Sequence, residues 1–154
     1  MAVAPRVTEP AAALAAGNRP VLLATLGVPF EPAASEFAVD AAVESGEPLI
    51  VANVVELPPL AMSLNMRYDQ LEDEPELSEA LRFPAELAHS LGVRVERLRV
   101  KSLRPVEALL ELAAERRPGV LVFGPDRSKL KGRRYRKAAR AVRERATCLV
   151  WLPD

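Results

Sequence analysis

A chain of 154 residues, 49% hydrophobic and 27% charged, is the right size for one domain with a core of its own. The single cysteine, Cys148, excludes an intramolecular disulfide framework, and no apolar run is long enough to cross a bilayer. The formal net charge is zero, yet residues 127–145 hold ten of the 21 lysines and arginines against one acid, Glu144, so that stretch carries +9 and the other 135 residues −9.

Residues 1–19 are rich in alanine and proline and read as a mobile leader ahead of a domain over 20–154. The leader lacks the basic start and apolar block of a secretion signal. With one cysteine, which suits a reducing compartment, the chain is expected to be cytoplasmic and away from membranes. Residues 21–26, VLLATL, run apolar without alternation, as a strand buried on both faces does. An alanine-rich helix follows over 31–46, carrying Phe37 and Ala41 and stopping at Gly46. Residues 48–57, PLIVANVVEL, form a second buried strand, and 58–74 are irregular with an acidic end. A helix over 74–91 places Leu77, Leu81, Pro84, Ala88 and Leu91 on one face, and Pro84 should kink or interrupt it. Residues 93–100 alternate apolar and polar, the pattern of an edge strand. A helix over 105–117 begins with proline and ends with arginines, and 119–124, GVLVFG, is a further apolar strand. In the basic stretch Tyr135, Ala138, Ala139, Val142 and Ala146 make one apolar stripe at helical spacing, so an amphipathic helix covers 133–146 before a last strand at 147–152.

Strands alternating with helices in this way predict an α/β fold: a three-layer α/β/α sandwich on a mostly parallel sheet. Ligands in such sheets settle beyond the carboxyl ends of the strands. The candidate turns are TLGVP after the first strand and GPDRSKLKG after the fourth.

Three stretches carry a resemblance: RPVLLATLGVPFEPAASEFAVDAA, LAHSLGVRVERLRV, and PGVLVFGPDRS with ATCLVWLP. In order and spacing they are similar to the universal stress protein family over residues 20–153. The resemblance implies a five-stranded parallel sheet in order 3-2-1-4-5, of the adenine nucleotide alpha hydrolase-like type. It also implies ATP binding in many members, and a homodimer built through the last strand, here Leu149, Trp151 and Leu152. The family's loop after strand 4 reads glycine, two residues, glycine, nine residues, then glycine with serine or threonine. Here Gly124 supplies the first glycine, Arg127 stands at the second, and Lys137 with Ala138 at the last pair; Leu26 replaces an acidic residue. Glycines let backbone N–H groups reach phosphate oxygens, so this departure speaks against ATP binding in the family's manner, and no cofactor is expected.

Three readings of the basic stretch stay open. It is a solvated helix face balanced by acids elsewhere. It is an anion site, where Arg127, Lys129, Lys131, Arg133 and Arg134 take a phosphorylated small molecule at a helix N-terminus, helped by Thr25, Gly27, Gly124, Ser128 and Gly132. Or it follows a nucleic-acid backbone, which the scarcity of aromatics for base stacking argues against. The main reading is a regulatory binding protein with a cationic loop and helix. The alternatives are a nucleotide binder with a modified loop, a non-specific nucleic-acid binder, or a purely structural dimer module. His89 is the sole histidine, which argues against a zinc site. Cys148 has no base identifiable beside it and reads as core. Asp126 and Ser128 suit a turn as well as a ligand. GPDRSKLKG does not end as a Walker loop does. No nucleophile–base pair or paired carboxylates appear, so no enzyme is expected.

Overall fold

The computed structural model describes residues 19–58 and 75–153, with side chains from residue 80 onward in the second helix. Elements alternate in the order β1 (Val21–Thr25), α1 (Pro32–Ser45), β2 (Leu49–Glu56), α2 (Pro75–Ser90), β3 (Val95–Ser102), α3 (Pro105–Arg116), β4 (Val120–Phe123), α4 (Gly132–Arg145) and β5 (Leu149–Trp151). The expected leader up to residue 18, the irregular segment from 59 to 74 and the side chain of Leu77 lie outside the described residues.

The strands form one sheet in the order β3-β2-β1-β4-β5, with every pairing parallel. Central β1 is buried at all five positions, which explains its unbroken apolar run. Alternate residues of each strand feed two cores. Leu22, Ala24, Ile50, Ala52, Leu121 and Phe123 pack with residues of α3 and α4. Val21, Leu23, Leu49, Val51 and Val122 pack with residues of α1 and α2. The chain moves from β1 outward to β2 and β3, then crosses back to β4 and outward to β5. The reversal lies between β1 and β4, and their carboxyl ends flank the crevice that this topology leaves open.

Several boundaries shift because pairing decides them. β3 runs two residues later than its alternation suggests, since Leu49 to Glu56 of β2 pair with Val95 to Ser102. Pro84 lies inside α2 without ending it. It is buried, as are Ala85 and Ala88, and tertiary packing offsets the backbone hydrogen bond that proline cannot donate. Leu91 does not share the buried face; it is exposed in the turn leading to Gly92, at φ +83°. In α1 the buried face is Ala34, Ser35, Ala38, Val39 and Ala42. Phe37 lies on the flank, stacked on Trp151 of β5 at 4.5 Å between ring centroids. Gly46 caps α1 in the left-handed conformation. No helix among the described residues is long and apolar enough to cross a membrane.

Candidate functional site

The two turns that flank the crevice are stapled together. Pro125 bridges Phe30, the Glu31 N–H donates to the Gly124 carbonyl at 2.9 Å, and the Asp126 N–H donates to the Pro29 carbonyl at 2.8 Å. Asp126 then shapes its own turn. Its Oδ1 accepts from the Ser128 N–H at 3.0 Å and from the Ser128 hydroxyl at 2.7 Å, while its carbonyl accepts from the N–H groups of Lys129 and Leu130. Leu130 is buried in the core, so the lysines on either side of it are carried on a fixed loop.

That loop forms one wall of a cavity of about 760 Å³ at the carboxyl edge of the sheet. Lys129, Leu130, Lys131 and Arg134 line this wall; Leu26, Gly27 and Val28 come from the turn after β1, and Val55, Glu56 and Pro58 from the end of β2. Arg134 donates to Glu56 at 2.6 Å across the opening, with both side chains about half exposed. Gly27 has φ +73°, and its N–H donates to Oδ1 of fully buried Asn53 at 2.8 Å, which fixes the β1 turn. The Asn53 Nδ2 has no partner among the described residues.

The electrostatics of α4 run against helix stability at this end. Lys131 is the N-cap and makes no side-chain capping bond, the first turn contains no acid, and Arg133 and Arg134 lie in it. Cations here oppose the macrodipole at a cost of about 0.3–1 kcal/mol each, and an anion would relieve it.

Of the residues expected at an anion site, Gly27, Lys129, Lys131 and Arg134 line the cavity. Gly132 starts α4 directly after Lys131. The others serve elsewhere. Thr25 is fully buried and donates to the Val28 carbonyl at 2.9 Å, holding the β1 turn. Gly124 lies beneath α1, where a Cβ would come within 2.2 Å of the Ala34 Cβ, and its N–H donates to Ala24. Ser128 is engaged with Asp126. Arg127 lies over the Tyr135 ring at 4.3 Å, and Arg133 is exposed on the outer side of α4. The reading of the sequence did not single out Val28, Val55, Glu56, Pro58 or Leu130. The end of the apolar run of β2 at Glu56 was the available signal, because β2 pairs with β1 and ends at the same edge.

A second cavity, of about 500 Å³, opens between the end of β3 and the start of α3. Its Lys101 and Arg104 are offset by Glu107 and Glu111, and Glu107 is held by Arg145 through two bonds of 2.6 and 2.7 Å. Its two cations and two acids balance, whereas the first cavity sets three cations against one acid. Cys148 is half-buried, and burial pushes its thiol up from its ordinary range, the opposite of what a nucleophile needs.

A model of the Universal stress protein family matches residues 17–152. The chain belongs to that family. No curated protein sequence matches the chain. Among solved structures, a universal stress protein in complex with cAMP is 22% identical with a TM-score of 0.59, covering 88% of this chain and 96% of that one. The universal stress protein from Archaeoglobus fulgidus in complex with dAMP is 20% identical with a TM-score of 0.60, covering 87% and 96%. The universal stress protein UspA from Lactobacillus plantarum is 16% identical with a TM-score of 0.63, covering 89% and 99%. The fold is thus the fold of the family, and the strand order implied by the resemblance is the one observed. At its outer strand, β5, Leu149 is 71% exposed, while Trp151 and Leu152 are half-buried.

Proposed function

We propose that this member of the universal stress protein family is a non-enzymatic regulator that binds an adenine nucleotide in the cavity between the β1 turn and the β4–α4 loop. The observation that carries the reading is the wall formed by Lys129, Lys131 and Arg134 at the switch point of the sheet. A phosphate meets these cations and the uncapped start of α4 together, while Leu26, Val28, Val55 and Pro58 offer apolar surface to the base and sugar. Glu56, an acceptor, suits a ligand that brings hydroxyl or amino donors and disfavours a bare polyphosphate. Two of the similar structures are complexes with cAMP and dAMP, which favours the modified-loop nucleotide reading over a general anion site. Arg127 and Lys137 stand where the resemblance expects cradle glycines, so the backbone contacts for a long phosphate tail are missing and a monophosphate suits the cavity better than a triphosphate.

Thermal-shift measurements with AMP, cAMP, ATP and inorganic polyphosphate at low and high salt test the reading. The expected result is stabilisation by AMP or cAMP that survives high salt. The Lys129→Ala/Lys131→Ala variant weakens it by about a hundredfold, at roughly 1.5 kcal/mol for each of the two charged hydrogen bonds lost. Glu56→Ala, which removes the acceptor, should weaken AMP binding more than it weakens polyphosphate binding. A response shared equally by all four ligands and erased by salt contradicts the reading. The protein acts as a cytoplasmic homodimer paired along the outer edge of β5, a proposal supported by exposed Leu149 on an edge strand. Light scattering should give a dimer that Leu149→Glu dissociates; a monomeric parent protein would rule the pairing out.

A further inference from the structure

Beyond the cavity, the outer face of α4 is a second cationic surface. The buried stripe of α4 is Tyr135, Ala138, Ala139 and Val142. Arg133, Arg136, Lys137, Arg140 and Arg143 occupy the remaining circumference, all exposed, with Glu144 as the one acid among them. Two other α4 arginines point elsewhere, Arg134 to Glu56 and Arg145 to Glu107. The five outward cations meet no carboxylate among the described residues. Exposed cations are solvated without partners; what sets this face apart is five of one sign on one side of a single helix, a block that repels itself and favours a polyanion.

We propose that this face docks the phosphodiester backbone of duplex nucleic acid without reading its sequence. A protein partner would call for an apolar centre in the interface. The exposed large apolar side chains of the described residues are Phe37, Val43, Phe83, Leu91, Leu103 and Leu149, and none lies on α4. A lipid surface would call for an apolar wedge, and the only apolar stripe of α4 faces the core. What remains is a partner recognised by charge alone. From Arg133 to Arg143 the helix advances about 15 Å, and one strand of a duplex places a phosphate every ~3.4 Å of rise, so the row faces about four phosphates. Four of the five cations are arginines, whose planar fork grips two phosphate oxygens. The scarcity of aromatics argues against base stacking, and backbone contact requires none.

Fluorescence anisotropy of the full chain with a labelled duplex of about 20 base pairs, between 50 and 200 mM salt, tests the proposal. At about 0.9 per neutralised phosphate, four contacts give a slope of log affinity against log salt near −3.6, about a hundredfold loss over that range. Arg133→Gln/Lys137→Gln/Arg140→Gln should reduce the slope by close to 3 while keeping the far-ultraviolet spectrum and the thermal response to AMP of the parent. Lys129→Ala/Lys131→Ala should do the reverse, so failure at this surface and failure at the cavity are told apart. No duplex binding at 50 mM salt overturns the proposal, as does a slope that the triple variant leaves unchanged. Tighter binding to phosphatidylserine vesicles or to polyglutamate than to the duplex assigns the face to another partner and overturns it equally.

Discussion

Gly124 and Gly27 are glycines for different physical reasons. At Gly124 the obstacle is a neighbour: an added Cβ would meet the Ala34 Cβ at 2.2 Å, a contact that atoms do not tolerate. At Gly27 nothing lies within 4 Å of an added Cβ, but φ is +73°, where a side chain costs about 1–2 kcal/mol. Gly124→Ala should therefore force α1 away from the sheet and destabilise the protein by about 1–3 kcal/mol, read as a lowered urea midpoint. Gly119→Ala is the control, since its nearest neighbour is the Arg19 Cβ at an ordinary 3.5 Å. Equal midpoints for the two variants would contradict the packing role. The sequence alone offers a glycine at 124, which the resemblance assigns to a ligand loop, and only the fold shows that the close neighbour is a helix. The same limit applies to Thr25, whose hydroxyl could serve a ligand or a turn and here holds the turn. Lys129, Lys131 and Arg134 were legible because charge that packing cannot use collects beside a strand end. Glu56 and Leu130 were not: the strand order sets the end of β2 beside the β1 turn, but only the fold shows the loop after β4 reaching over to it.

At the scale of elements, hydrophobic period was a good guide wherever burial is one-sided or complete. The stripe on α4 and the unbroken run of β1 both appear where expected. β3 slid by two residues because its pattern is shallow, with every position intermediate or exposed, and its ladder with β2 sets the register. Ion pairs tie elements of the α3–α4 layer to each other and to the edge strand. Arg145 holds Glu107, joining α4 to α3, and Arg116 holds Glu96, joining α3 to β3, with one of its two bonds at 3.0 Å. Hydrogen bonds from these arginines hold both carboxyls below the ordinary glutamate range. A carboxyl depressed on folding adds stability that is full above its unfolded pKa, ~4.3 for glutamate, and is lost as pH falls through the depressed value. These pairs are exposed, so the effect is small and salt-sensitive. The melting temperature should fall as pH drops below about 4.3, and Glu96→Gln/Glu107→Gln should flatten part of that fall. A double variant with the same acid profile as the parent would remove these pairs from the explanation.

At the scale of the whole molecule, a net charge of zero conceals a segregated surface, with +9 in residues 127–145 alone. The fold divides this charge between two faces. Lys129, Lys131 and Arg134 turn to the crevice at the carboxyl edge, while Arg133, Arg136, Lys137, Arg140 and Arg143 face outward from α4. The order of elements was legible because each strand and helix has its own local signature, and alternation restricts how they assemble. The division of the cations was not, since it requires knowing which side of α4 faces β2 and α3.

An amide chemical-shift titration of the full chain with AMP at physiological salt tests the cationic wall directly. The expected result is a saturable set of shifts confined to Gly27, the end of β2 at Glu56, and residues 129–134. Shifts spread along the outer face of α4, shifts at the cavity beside α3, or none at millimolar AMP would contradict it.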